Sequence, residues 1–268
     1  MKLNFAALSA LPVILAAAVL PTAVQAADAP VAATTYNLGV VTDYRYRGIS
    51  QSRLKPALQG GADWSHPSGF YLGTWASTIT WIKDGGKIYN NANPGASVDS
   101  GDTPFEWDLY GGYKGDIIKD KLSYDVGGLY YLYVGNHYGK IPGQAGANTF
   151  ELYGALTYGP VTAKYSHSLT NAFGFFESKN SGYLDISASF DVGMGITLAP
   201  HVGHQRITGG LNNSASYTDL SLALSKDFNG LTPSLTAVST NADKAIYPTP
   251  SGKFNGKNAL VLGLKYSF

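Results

Sequence analysis

The sequence has 268 residues, with 19 lysines and arginines against 18 acidic residues and a formal net charge of +1. A chain so close to neutral has no electrostatic drive toward nucleic acid. The absence of cysteine excludes disulfides and cysteine-based zinc sites. The sequence is rich in glycine (32), tyrosine (19) and phenylalanine (11), which suits a protein with many hairpins and with aromatic girdles at a membrane interface.

The N-terminus predicts an exported protein. Lys2 precedes an apolar run at 11–20, and small residues at 24–26 offer a cleavage site. Such a run is too short to cross a bilayer as a helix and is typical of a secretory signal peptide. We therefore assign three parts to the chain, because the mature portion fits one all-β domain. These are a signal peptide at 1–26, a flexible lead-in at 27–34 and a barrel at 35–268.

Twelve segments alternate apolar and polar residues with the period of two that predicts a strand with one apolar face. The last segment is typical, since Leu260, Leu262, Leu264 and the aromatic pair Tyr266 and Phe268 share one face. The segment 70–81 differs because large apolar residues lie on both of its faces, so its outward face stays open. The predicted strands are 36–48, 53–65, 70–81, 105–114, 122–134, 150–158, 161–169, 183–192, 195–206, 217–228, 231–240 and 257–268.

The connections between these strands alternate in length, and this favours a membrane barrel. Short turns on the periplasmic side and long external loops are the signature of outer-membrane barrels. The short connections are 65–69, 115–120, 159–160, 193–195 and 229–230. The external connections are 50–52, 82–104, 135–148, 170–181, 207–216 and 241–256. The first of these, 50–52, is short and breaks the pattern.

Backbone chemistry favours a closed structure. Each unpaired backbone group in lipid costs several kcal/mol, so a membrane-spanning sheet must have no free edge. We predict an all-β fold, a transmembrane antiparallel up-and-down β-barrel of about 12 strands. A soluble β-sandwich or an open barrel would alternate in the same way, but the signal peptide and the loop asymmetry argue against both.

Several blocks of sequence resemble a known family. They are 43–52 (DYRYRGISQS), 56–60 (PALQG), 68–77 (SGFYLGTWAS), 106–113 (EWDLYGGY) and 182–185 (GYLD). This pattern resembles the TorF-type family of outer-membrane porins from proteobacteria, most densely between residues 43 and 113. The resemblance implies a small barrel for solute passage, and it brings no catalytic residues.

Charged residues on the inward side of the predicted strands are the candidate lumen residues, because a pore needs a polar interior. An arginine or lysine that faced lipid at mid-depth would cost about 2–4 kcal/mol. The candidates are Asp43, Arg45, Arg47, Asp63, Glu106, Asp108, Asp125, Glu151, Lys164, Asp185 and Asp219. We expect Arg45 and Arg47, beside Asp43, to form the constriction. The alternative is that these charges pair across a plugged lumen as structural salt bridges.

Catalytic and metal sites find little support in the sequence. His167 and Ser168 are adjacent in a strand and therefore point to opposite faces, so they cannot form a nucleophile–base pair. His201 and His204, three residues apart, also fall on opposite faces, which argues against a metal site there. A histidine paired with an inward serine on a neighbouring strand stays an alternative. Asp99, Gly101 and Asp102, in the loop 82–104, fall short of a calcium loop, and no phosphate-binding loop occurs.

The sequence therefore predicts passive diffusion of small hydrophilic solutes or ions through an outer-membrane pore, with no enzymatic activity, metal or cofactor. The expected partners are outer-membrane lipids, small solutes and the barrel-assembly machinery, which would recognise Tyr266 and Phe268 as a C-terminal signal; nucleic acid is not among them. Two alternatives stay open, an outer-membrane lipid-modifying enzyme and a structural or adhesive barrel without conductance.

Replacing Arg45 and Arg47 together with alanine should change single-channel conductance or ion selectivity, because both charges lie at the expected constriction. Recordings in planar bilayers measure both quantities. Unchanged single-channel behaviour would contradict the placement of the constriction at these two residues.

Overall fold

The computed structural model describes residues 32–268. The predicted signal peptide and most of the predicted lead-in lie outside the described residues. The first strand begins at Ala33, two residues before the predicted start of the barrel. Among residues 32–268, no helix is long and apolar enough to span a membrane.

The described chain is built mostly of β-strands with one α-helix. The strands are β1 (Ala33–Val41), β2 (Arg45–Tyr46), β3 (Ile49–Ser50), β4 (Ala57–Ser65), β5 (Phe70–Thr78), β6 (Phe105–Ile118), β7 (Leu122–Leu132), β8 (Thr149–Tyr158), β9 (Val161–Ser168), β10 (Gly182–Ala188), β11 (Phe190–Asp191), β12 (Ile196–Arg206), β13 (Tyr217–Lys226), β14 (Leu231–Thr240) and β15 (Ala259–Ser267). The helix α1 (Trp81–Ala92) lies between β5 and β6, and two 3₁₀ turns occupy Tyr138–Lys140 and Gly210–Ala215.

The sheet closes into a barrel with twelve antiparallel wall strands, counting β10 and β11 as one interrupted strand, as the sequence predicted. Each wall strand pairs with its neighbours along the chain, and β10 also pairs with β12. The circle is completed by β1 and β15, from Asn37 opposite Ser267 to Val41 opposite Gly263. Tyr36 and Phe268 exchange two backbone hydrogen bonds of 2.8 and 3.0 Å. Every wall strand therefore has a partner on both sides, which is the condition for a sheet in lipid.

An apolar belt covers the outside of the barrel. Outward side chains are exposed although they are apolar, for example Leu38 at 61% and Leu260 at 70%. On the described wall strands, the outward positions carry aspartate, glutamate, lysine or arginine only at Arg206 and Lys226, the last residues of β12 and β13. An exposed apolar surface of this extent fits a protein whose surroundings are lipid rather than water.

Aromatic rings cluster at the end of the barrel that carries the short connections, which we call the turn end. The ring of Phe268 stacks on Tyr36 at 5.8 Å and on Tyr266 at 5.7 Å, and Phe70 meets Tyr113 at 4.8 Å. The opposite end carries the long connections, and we call it the loop end. Aromatic side chains at this depth mark the boundary between hydrocarbon and headgroups.

Inside the barrel, tyrosine rings lie over glycines of the next strand. A side chain at Gly73 would collide with the Tyr110 ring, one at Gly127 with Tyr153, and one at Gly203 with Tyr183. Gly73 and Tyr110 are direct cross-strand partners. The many glycines and tyrosines thus have a packing role, because a glycine has no side chain and leaves room for the tyrosine ring of the neighbouring strand.

The first predicted strand, 36–48, is wrong beyond Val41. After that residue the chain leaves the wall and turns into the barrel, where β2 and β3 form a small hairpin. Alternation with the inward candidates Asp43 and Arg45 places Tyr44 on the outward face of the predicted strand, but Tyr44 is buried inside and only 2% exposed. Residues on both faces of this hairpin are buried against protein, so the alternation of tyrosines with charged residues does not mark a side that faces lipid. The first external connection is consequently residues 42–56, and the exception to the loop pattern disappears.

The connection 82–104 was predicted as a polar loop, but it contains most of α1. Gly85 and Gly86 weaken the helical signal, yet both are required here: a side chain would strike Tyr138 at Gly85 and Ser100 at Gly86. Ile82 is fully buried. The structure also assigns β5, the strand whose faces were ambiguous. Phe70 and Leu72 point outward, whereas Tyr71 and Trp75 point inward.

Replacing Gly203 with alanine should destabilise the barrel by about 1–3 kcal/mol, because the new methyl group overlaps the Tyr183 hydroxyl in a packed interior. The thermal unfolding midpoint of the purified protein in detergent measures the effect. The matched control is Gly154→Ala, since a methyl group at Gly154 meets only Val126 at 4.0 Å. Equal midpoints for the two variants would contradict the packing role.

Candidate functional site: the charged interior

Residues 42–56, which we call the inserted segment, occupy the loop-end half of the barrel interior. Internal bonds hold the segment in shape: Ser50 donates to Asp43 Oδ1 at 2.5 Å, and Arg45 Nη1 donates to the Gly48 carbonyl at 3.0 Å. Other bonds attach it to the loops, since the Ser50 amide donates to the Asn255 carbonyl at 3.0 Å. The segment is therefore held by contacts of its own and by the external connections.

Arg47 anchors the inserted segment to the wall. Its guanidinium binds Glu151 through two nitrogens, at 2.7 and 3.1 Å, and donates to Gln205 Oε1 at 2.7 Å. The guanidinium carbon also lies 4.2 Å from the centre of the Tyr183 ring. The two charged side chains are 6% and 1% exposed. A buried, two-pronged pair of this kind is among the strongest polar contacts in proteins.

A second acidic site lies on β6. Glu106 accepts hydrogen bonds from Tyr44 Oη on one oxygen and from Tyr133 Oη at 2.7 Å on the other. Asp108 points to the same side of the strand and is 1% exposed. Its Oδ1 atom is buried and has no hydrogen-bond partner. Buried polar atoms almost always have a partner, so this carboxylate is an exception to explain.

A third cluster surrounds His201 on β12. His201 Nε2 lies 2.7 Å from Asp185 Oδ2, and Nδ1 lies 3.7 Å from Asp219 Oδ1. Tyr183 donates to Asp219 Oδ2 at 2.9 Å. The two carboxylates thus flank one imidazole from neighbouring strands, and they fix the His201 side chain in the barrel interior.

Toward the turn end the interior is less tightly closed. Tyr110 donates to Asp63 at 2.5 Å and Tyr71 donates to Asp125 at 2.6 Å. Lys164 places its ammonium group 3.9 Å from the centre of the Tyr153 ring. Asp63 and Asp125 are half-buried rather than buried, so water reaches this level more easily than the level of Arg47.

The structure brings the predicted lumen residues into the interior, on the wall strands or on the inserted segment. Arg45 pairs with Asp43 at 2.7 Å, whereas Arg47 pairs with Glu151 on the wall. This geometry fits the alternative of paired charges in a plugged lumen. The buried candidates, all 1–9% exposed, are Asp43, Arg45, Arg47, Glu106, Asp108, Glu151, Lys164, Asp185 and Asp219.

Sequence reasoning missed several interior groups. Tyr44, Tyr133 and Gln205 bind the predicted charges directly. His201 was considered only as a metal ligand, although the inward parity of its strand position could have placed it in the lumen. Tyr266 and Phe268 lie exposed at the turn end, and their role in assembly stays a prediction.

The weaker sequence candidates are placed apart. Ser168 faces inward and donates to Glu151 Oε1 at 3.2 Å, whereas His167 lies on the other face beside Asn180. Within residues 32–268, no group of three or more histidines, aspartates and glutamates is arranged to hold a metal ion. In the loop after α1, a hydrogen bond from the Gly101 amide lowers the pKa of Asp99.

Comparison with known proteins gives a family. The sequence model of a family described as bacterial proteins of unknown function (Gcw_chp) matches residues 24–268. The chain belongs to this family. No curated protein matches the chain significantly.

The fold is similar to that of solved membrane channels. The KdgM porin has 10% identity and a TM-score of 0.50, over 89% of this chain and 99% of that chain. The NanC porin has 12% identity and a TM-score of 0.48, over 88% and 98%. An outer membrane channel from Pseudomonas putida F1 has 12% identity and a TM-score of 0.48, over 90% and 96%. The likeness to KdgM, at this identity, shows the fold and no more.

Replacing Glu151 with glutamine should loosen the inserted segment, because Arg47 would then be buried without a counter-charge. Removing one partner of a buried pair costs about 3–5 kcal/mol, which corresponds to an increase in local opening of about a hundredfold to several thousandfold. Trypsin cleavage after Arg45 and Arg47 in the folded barrel, followed by mass spectrometry, measures this opening.

The control is Asp102→Asn, which removes an exposed pair with Lys83 at 2.8 Å. Exposed pairs contribute little to stability, so cleavage of this variant should match the wild type. If Glu151→Gln is cleaved no faster than the control, the anchoring role of Arg47 is wrong.

Proposed function

We propose that this protein is an outer-membrane channel for passive diffusion of small hydrophilic solutes or ions. One observation carries the proposal: the closed barrel turns its apolar side chains outward and encloses charged ones, from Asp63 near the turn end to Glu106 nearer the loop end. A polar interior inside an apolar belt is the arrangement that a pore requires. The sequence resemblance to the TorF-type porins supports the same function.

The interior also indicates that conduction depends on the inserted segment. Side chains that line a water-filled pore are wet, yet Glu151 and Asp219 are each 1% exposed. The inserted segment fills the space beside both residues, because Arg47 binds Glu151 and a side chain at Gly48 would collide with Asp219. We propose that this segment closes the lumen in the described state and that its displacement opens a path for solute.

Location and assembly form part of the proposal. A signal peptide at 1–26 would export the chain, and the barrel-assembly machinery would recognise the last strand through Tyr266 and Phe268. The apolar belt would then contact outer-membrane lipids. The proposal assigns no catalytic step to the barrel, and the absence of lipid hydrolysis by the purified protein would agree with it.

A second candidate function, a structural barrel without conductance, is favoured by the packed interior. Buried ion pairs such as Arg47 with Glu151 would serve such a barrel as internal struts. The two functions differ in what happens when the inserted segment is removed, since a pore would open and a structural barrel would only weaken.

Replacing residues 43–55 with a Gly-Ser-Gly-Ser linker should raise single-channel conductance severalfold in planar bilayers, because the plug of the loop-end half is removed. The wall can tolerate the change, since Val41 and Ala57 are direct cross-strand partners of β1 and β4 and a short linker joins adjacent strands. Folding is checked by the shift in gel mobility between unheated and heated samples.

The matched control replaces residues 92–95 with the same linker, at an exposed tip after α1 on the same end of the barrel. Its conductance should equal that of the wild type. A folded 43–55 variant that remains silent would overturn the channel function and support the structural barrel.

A further inference from the structure

Charge on the barrel wall is unevenly divided between acidic and basic side chains. The wall strands point three lysines into the interior, namely Lys114, Lys164 and Lys265. The same strands point seven buried or half-buried carboxylates inward, and these are Asp63, Glu106, Asp108, Asp125, Glu151, Asp185 and Asp219. The inserted segment adds Asp43, Arg45 and Arg47 to the interior, together with Arg53, which pairs with Asp84 of α1, and the exposed Lys55. The interior is therefore acidic on balance, both with the segment in place and after its displacement.

The arginines and the histidine of the interior are already engaged by carboxylates. Arg45 pairs with Asp43, Arg47 with Glu151, and His201 lies against Asp185. A basic group that is neutralised in this way offers little attraction to a passing anion, because the field of its partner cancels its own beyond a short distance.

Glu106 and Asp108 are different, because their partners carry no positive charge. Glu106 accepts hydrogen bonds from two tyrosine hydroxyls, and Asp108 Oδ1 has no partner at all although its side chain is 1% exposed. Within the part of the chain that the structure describes, neither carboxylate forms an ion pair. Two residues apart on β6, both point inward. A buried carboxylate without a counter-charge is unfavourable, so this site is stabilised by a cation or by a proton.

We propose that the channel prefers cations over anions and that Glu106 and Asp108 bind a monovalent cation as it passes. The inference rests on the proposed channel function and names the class of ion that the pore selects. Acidic side chains set cation selectivity in channels by offering oxygens in place of hydration water.

The test is the reversal potential of the purified full-length protein in planar bilayers under a tenfold gradient of potassium chloride. The wild type should favour potassium over chloride, by about threefold or more for a lumen of this charge. The Glu106→Gln, Asp108→Asn double variant should move the reversal potential toward zero and lower the permeability ratio at least about twofold. The variant without residues 43–55, measured in parallel, should favour potassium more strongly, since it loses three arginines and one lysine against a single aspartate and keeps the acidic wall.

Two further variants separate selectivity from folding. Asp108→Asn alone removes a carboxylate whose Oδ1 has no hydrogen bond to lose, so it should fold and still lower selectivity. Glu177→Gln is the matched control, because it removes an exposed acidic residue from an external loop and should leave selectivity unchanged.

The outcomes are distinguishable. A pore that favours chloride overturns this inference and leaves the channel function standing. An equal potassium preference in the wild type and in both Asp108 variants does the same, and it would mean that the carboxylates carry a proton. Silence of the wild type and of the variant without 43–55 overturns the channel function, and this inference with it.

Discussion

Backbone hydrogen bonding is the constraint on which the structure depends. A strand in hydrocarbon has no water to satisfy its amide and carbonyl groups, so every strand needs a partner on both sides. The pairing of β1 with β15 meets this condition for the ends of the chain, from Asn37 opposite Ser267 to Val41 opposite Gly263. Once the wall is closed, the period of two divides its side chains into an outer apolar set and an inner polar set.

The polar side chains inside the barrel must then satisfy one another's charges and hydrogen bonds. Twelve strands enclose a narrow space, and charges in it must be hydrated or paired. The protein uses pairing at the loop end, where Arg47 meets Glu151, and tyrosine hydroxyls at the turn end, where Tyr71 meets Asp125. Inward glycines give the tyrosine rings their space, as at Gly127 beneath Tyr153. The inserted segment adds its own polar groups to this space in the loop-end half of the barrel.

The sequence predicted the wall well and the interior in part, for a common physical reason. Alternation of Leu260, Leu262 and Leu264 reports an extended strand with one apolar face, and the same parity placed Glu106 and Asp108 inside. Alternation does not report what each face touches. Tyr44 continues the period-two alternation of β1 after the chain has left the wall at Val41. The sequence therefore predicts a strand that runs on to residue 48.

Contacts between distant strands were out of reach of sequence reasoning. The partners of His201 are Asp185 and Asp219, which come from two other strands and meet it only through the register of the closed sheet. Helix α1 was missed because Gly85 and Gly86 suppress its local signal. Both glycines are required by tertiary neighbours, and these neighbours cannot be identified from the chain order alone.

The inserted segment also constrains the order in which the molecule can be completed. Residues 42–56 follow directly on the first wall strand, yet their partners include Glu151, Gln205, Asn255 and Lys257, far along the chain. Contacts of such long sequence separation form late and slowly. The inserted segment can therefore complete its contacts only after the strand that carries Gln205 and the last loop, with Asn255 and Lys257, are in place.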